Sequence, residues 1–317
     1  MKKPTSFETA YRSLWRIESG NMDDEAISEL KSAINGKNSL LASKAADLAA
    51  NYGFSNLIPD MISAFERFMI DGVRNDKLCN AKISIVNALN KFEYMGDEVF
   101  RKGAYYIQME PAYGKPIDAA VKVRIGCAYG LARIICLDAS YILTDLLVDA
   151  DPEVRTAAVK SLSYLGNPES ELLLRLKVLT GDEDPNVISE CFDGLITMAP
   201  DRSLGFVSRY LRTADAAMAQ SAAIAIGNSR LSRAYDVLRE YWDDFPSPST
   251  RRMLILPIAL VRSTEAFNFL LDIVRDADSK TASEAIDALR IYPSTENIEQ
   301  VREVMESRND PALMKLI

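Results

Sequence analysis

The sequence predicts an all-α chain, an α-solenoid of stacked antiparallel helix pairs, and three observations carry that prediction. A unit of 31 to 33 residues recurs from Val123 onward. Each unit opens on helix-start residues. Within each unit the apolar residues return at offsets that fall on one face of a helix.

With Val154 as the reference position, the equivalents are Val123, Val187, Met218, Thr250, Thr281 and Leu313, at steps of 31, 33, 31, 32, 31 and 32. Three residues before every reference after Val123 stand Asp151, Asp184, Asp215, Ser247, Asp278 and Asp310. Four of these are followed by proline, at Pro152, Pro185, Pro248 and Pro311. A short acceptor side chain caps free backbone N–H groups, and proline at the first helical position sacrifices no hydrogen bond.

The first helix of each unit then follows from its stripe. Leu131, Leu162, Leu195, Ile226, Ile258 and Leu289 lie eight residues after the reference; Ala128, Val159, Phe192, Ala223, Ile255 and Ile286 lie five after it. A second helix carries Leu143, Leu174, Val207, Leu238, Leu270 and Val301, and four residues later Leu147, Val178, Leu211, Trp242, Val274 and Met305. Short turns such as Gly166-Asn167-Pro168-Glu169 join the two. One such pair cannot bury its apolar faces alone, so neighbouring pairs must stack.

Asp151-Pro152-Glu153-Val154-Arg155 with Ala157-Ala158 and Leu162 resembles the first helix of the HEAT-repeat family, especially the short bacterial repeats noted in phycobilisome lyases. The resemblance covers residues 117 to 317 well and the N-terminal third loosely. It implies a solenoid whose second helices line a concave side. It is specific for fold and not for activity, since the matching residues are those that fold and stack the helices.

The N-terminal third reads as atypical repeats and a cap over 1–91, with helices over Phe7–Ile17, Asp23–Ile34, Leu40–Ala50, Leu57–Ile70 and Asn80–Leu89. Regular repeats occupy 118–309, and 310–317 is a tail that opens a further unit. The whole of 1–317 is expected to form one elongated domain. Between Ala81 and Val123 the spacing is 42 residues, about ten more than the period. The excess falls in 92–117, rich in tyrosine, phenylalanine, glycine and proline. One reading is a recognition insertion. The other is a helix over Glu98–Met109, with Val99, Tyr106 and Met109 inward, followed by a long connection. Under either, Pro111-Ala112-Tyr113-Gly114-Lys115-Pro116 is a candidate recognition tip, because tyrosine joins contact area to a polar end.

The bulk numbers narrow the function. Lysine and arginine total 37 against 45 acidic residues, a net charge of −8, the opposite of what phosphate neutralisation requires. This argues against nucleic acid and anionic membranes as partners. No apolar run reaches the ~18 residues of a membrane span, and Met1 to Thr5 leads into an amphipathic helix rather than a signal core. There is no histidine, which removes the commonest general base and zinc ligand. Cys79, Cys127, Cys136 and Cys191 are widely spaced with no paired spacing, and Cys127 and Cys191, in one column with Ala158, Ala222 and Ala285, read as small buried residues, consistent with a reducing cytoplasm. No catalytic residue, metal site or cofactor is expected.

Arginines recur as well. Arg124, Arg155 and Arg251 follow their reference positions directly and suggest a charge ladder with Asp151, Asp184 and Asp278. Arg175, Arg239 and Arg302 share one offset on the second helices. Pro257 falls where other units carry a small residue and predicts a kink.

The expectation is therefore a non-enzymatic scaffold that binds another protein through the concave helices, the 92–117 insertion, or both. Its candidate contact residues are Tyr105, Tyr106, Tyr113, Lys115, Arg175, Arg239 and Arg302. The resemblance also offers a phycobilin-lyase-like, chromophore-handling enzyme as the alternative, and more distantly a HEAT-like DNA glycosylase. The oligomeric state stays open.

Overall fold

The structure is a computed structural model that describes residues 6–20, 24–244 and 247–313. Nineteen α-helices are present among the described residues. The chain divides into two compact units, Met1–Leu165 and Gly166–Ile317. The repeat period runs through this division without a step, so the pair referenced to Val154 has its first helix in one unit and its second in the other.

In the first unit the helices are α1 (Ser6–Glu18), α2 (Asp24–Asn35), α3 (Ser39–Tyr52), α4 (Ile58–Met69), the single turn α5 (Gly72–Asn75), α6 (Asn80–Lys91), α7 (Glu98–Ala104), α8 (Val121–Arg133), α9 (Ala139–Leu146) and α10 (Pro152–Leu165). First helices α3, α6, α8 and α10 pack in succession, and second helices α4, α7 and α9 do the same. Phe65, Phe68 and Phe100 are fully buried in this unit, each stabilising it by roughly 1.5–3 kcal/mol relative to exposure. The predicted helix over Glu98–Met109 stops at Ala104. Beyond it a small hairpin forms, with β1 (Met109–Glu110) antiparallel to β2 (Ile117–Asp118). Met109, expected inward, is 51% exposed.

The second unit holds α11 (Pro168–Thr180), α12 (Pro185–Met198), α13 (Pro200–Ser208), α14 (Ala216–Ser229), α15 (Ala234–Asp244), α16 (Pro248–Val261), α17 (Thr264–Asp276), α18 (Ser279–Leu289) and α19 (Thr295–Arg308). Here α12, α14, α16 and α18 form the stack of first helices. The two first-helix columns named above are buried throughout, as are all second-helix column residues except Val301, half-exposed on the last helix. Asp184, Asp215 and Asp278 cap their helices as predicted, each accepting from backbone N–H groups. Ser247 departs from the column: its hydroxyl meets that of Ser249 instead, and it makes no side-chain cap. Pro257 lies within α16, and its carbonyl comes so close to Gly227 that a Cβ there would stand 2.2 Å from the oxygen. Of the tail, Leu313 is buried at the reference position, while 314–317 lie outside the described residues.

Candidate interaction surface

The excess residues of the first unit are held by a buried polar network. The chain leaving α4 takes left-handed backbone at Asp71, and again at Leu78 and Cys79 just before α6. Such residues cost on the order of 1 kcal/mol or more and persist only when their surroundings enforce them. Asp76, completely buried, supplies that enforcement. Its carboxylate accepts from the N–H groups of Ala81 and Lys82 at 2.9 and 3.1 Å and from Lys82 Nζ at 2.9 Å. Lys82 Nζ donates also to the Phe68 carbonyl and stands 5.1 Å from the Tyr106 ring centroid.

The hairpin is tied to this pair. Gln108 donates to the Asp76 carbonyl at 2.9 Å and to Glu110 at 2.7 Å, and accepts from the Tyr106 hydroxyl at 2.7 Å. Glu110, 1% exposed, accepts from Leu78 N at 2.6 Å, which pins the left-handed turn directly to β1. Gly72 leaves room for this network, since a Cβ would stand 2.1 Å from the Tyr106 hydroxyl and 2.2 Å from Gln108 and would have to displace them. Burial, then the nearby Cys79 and the carboxylates of Asp76, Glu110 and Asp118, pushes the Tyr106 hydroxyl up to about 12.

The far strand is anchored by Arg124, which is 3% exposed. It donates to Asp118 at 2.6 Å and to the Tyr106 carbonyl at 3.0 Å, and approaches Asp149 to 2.8 Å. Burial alone would raise the Asp118 carboxyl, but the N–H groups of Ala120 and Gln108 and the Arg124 guanidinium outweigh it and hold it low. Arg124 departs from the predicted ladder. Arg124 reaches the aspartates five residues before each reference, Asp118 and Asp149, whereas Asp151, Asp184 and Asp278 serve as caps. Arg251 lies over the Trp242 ring and donates to its carbonyl.

On this frame the segment turns apolar side chains outward. Tyr105, Ile107, Met109 and Ile117 are exposed, and Tyr113 at the loop tip is fully so. Lys115 is exposed beside it. Tyr105 donates to Asp145 of α9 at 2.7 Å, and its hydroxyl is pushed up to about 12 by burial and by that carboxylate. The same helix exposes Tyr141, and Val148 just beyond it. Tyr106 is different, half-buried with its hydroxyl committed to Gln108.

The remaining candidate arginines lie in the second unit. Arg175 pairs with Glu171 and sits 4.7 Å from the Phe206 ring centroid. Arg239 pairs with Asp243 and lies over Phe269. Arg302 is exposed and lines a cavity of about 320 Å³ with Ile286, Leu289 and Ile298. Sequence reasoning missed Asp76, Lys82, Gln108 and Glu110. It also missed the exposed leucines of α11, which were visible as leucine on two faces of one helix.

No family model matches the chain, and no curated protein matches it. Among solved structures, the chain is similar to a chain of the AP-3 complex in a homology model of an intermediate open conformation. The two are 12% identical, over 95% of this chain and 57% of that one, with a TM-score of 0.56. It is also similar to the CpcE and CpcF complex of phycocyanin lyase from Nostoc sp. PCC7120, at 14% identity, 76% and 94% coverage and a TM-score of 0.38. An engineered protein is matched at 14% identity over 98% and 97%, with a TM-score of 0.40. At these identities the likeness extends to the helical-repeat fold alone. No helix among the described residues is long and apolar enough to cross a membrane.

Proposed function

We propose that this helical-repeat chain, of the HEAT-like kind, is a non-enzymatic scaffold that grips a partner protein through residues 105–117 of its first unit. The observation that supports this most is the pairing of a rigid base with an apolar exterior. Leu78, Gln108, Glu110, Asp118 and Arg124 lock the hairpin from beneath, while Tyr105, Ile107, Met109, Tyr113 and Ile117 project from it. Exposed aromatic and aliphatic side chains on a preorganised element lose little entropy on binding, which is what interface anchors require. Tyr105, Tyr113 and Lys115 are the contacts on this reading, and Tyr106 is a support.

The test is a pull-down from native lysate with wild type and with a Tyr105→Ala, Tyr113→Ala variant, whose thermal unfolding is checked first. Retention of a partner by wild type and its loss from the folded variant supports the proposal. Equal retention by both proteins overturns it.

A further inference from the structure

Helix α11 is apolar on two faces. Leu174 and Val178 are buried against the second unit's core, yet Leu172, Leu176 and Leu179 are 67%, 57% and 65% exposed. Their spacing of four and three places them in one row along the helix. Such a row on a surface helix is unpartnered, since an ordinary surface helix is polar on the side that meets water.

Cations line one edge of that row. The next second helix, α13, lies beside α11: Arg175 donates to the Arg202 carbonyl at 3.0 Å, and Arg202 pairs with Glu171 at 2.5 Å. Between them Phe206, 6% exposed, has the Arg175 guanidinium at 4.7 Å from its ring centroid and that of Arg209 at 4.8 Å. Tyr210 packs against the same ring at 5.5 Å. Arg209 is exposed and has no ion-pair partner among the described residues. Arg175 and Arg202 therefore share the Glu171 carboxylate while Arg209 adds a third guanidinium with no carboxylate of its own, on a chain whose net charge is −8. Gly205, with nothing within 4 Å of where its Cβ would be, leaves the surface open on α13.

We propose that the α11–α13 face is a docking site for an amphipathic helix of a partner protein, whose apolar stripe is edged with aspartate or glutamate. The leucine row packs against the stripe, helix face to helix face. Arg209 and its neighbours pair with the acidic edge and fix the helix's register and direction. The site deepens the scaffold reading, on which it rests, by adding a second contact of defined chemistry, in the second unit.

The test uses the full chain and two labelled synthetic helices of about five turns, both with leucine at the i, i+4 and i+7 positions, one edged with glutamate and one with lysine. Anisotropy titrations are run at low and high salt. The expected result is binding of the glutamate-edged helix, weakened by salt and weakened about tenfold or more by Leu172→Gln, Leu176→Gln, Leu179→Gln. These side chains are exposed, so circular dichroism should show the variant folded. Arg209→Glu should reverse the preference in favour of the lysine-edged helix. Equal binding of both peptides, insensitivity to Arg209→Glu, or no binding would overturn the proposal. So would sedimentation showing that the leucine row instead mediates self-association. If the peptide fails while the lysate partner is still lost on Tyr105→Ala, Tyr113→Ala, this inference falls and the scaffold reading stands.

Discussion

At the scale of single residues, the first unit depends on charges taken fully out of water. Lys82 and Asp76 are both 0% exposed and form an ion pair at 2.9 Å. Replacing one partner leaves the other charge buried without compensation, so Lys82→Met should destabilise the chain by roughly 3–5 kcal/mol, read by urea unfolding. A loss below about 1 kcal/mol, typical of exposed pairs, would show the pair to be dispensable. Asp118 makes a pH-dependent contribution. Its carboxyl is held below the ordinary value, so the stability it adds is present above the unfolded value of about 3.9 and is lost as pH falls through the folded one. The stability gap between wild type and Asp118→Asn should therefore be full near neutrality and shrink in acid. A gap that does not change with pH would contradict the assignment. The buried network of Asp76, Lys82, Gln108 and Glu110 could not be read from the sequence. Asp76 and Glu110 are 34 positions apart, and each alone looks like a solvated surface residue. Asp118 and Asp149 did leave a signal, in their shared place five residues before the reference.

At the scale of elements, the repeat was legible because its columns record packing directly. Small and aliphatic residues at fixed offsets exist where one helix lies against the next, and those columns are buried in the structure. Cap chemistry was legible for the same reason, since Asp184 acts on its own helix N-terminus. Asp184→Ala should cost about 1 kcal/mol in thermal or chemical unfolding, and no change would remove the cap from the account. The close approach of α14 and α16 at Gly227 and Pro257 makes a harsher prediction. Gly227→Val must displace a backbone carbonyl, costing roughly 1–3 kcal/mol. An unchanged unfolding midpoint would mean the helices separate freely. The hairpin was not legible, because strands of two residues carry no alternation to detect. The groups that pin it to the rest of the unit, Leu78 N and the Asp76 carbonyl, lie 32 positions away in sequence.

For the molecule as a whole, regularity and exception divide the labour. The repeating helix pairs supply rigid faces, and the positions that break the pattern carry the exposed chemistry: the ten extra residues before Val123, and the leucine row of α11. A histidine-free sequence with net charge −8 suits protein partners better than phosphate backbones. The most direct measurement is hydrogen exchange of the chain alone and with its captured partner. The account predicts that added protection is strongest in residues 105–117 and the adjoining α9, appears on α11 and α13 where the partner supplies the acidic helix, and leaves the first helices α14, α16 and α18 unchanged. Protection that leaves 105–117 untouched in the complex would contradict the central claim.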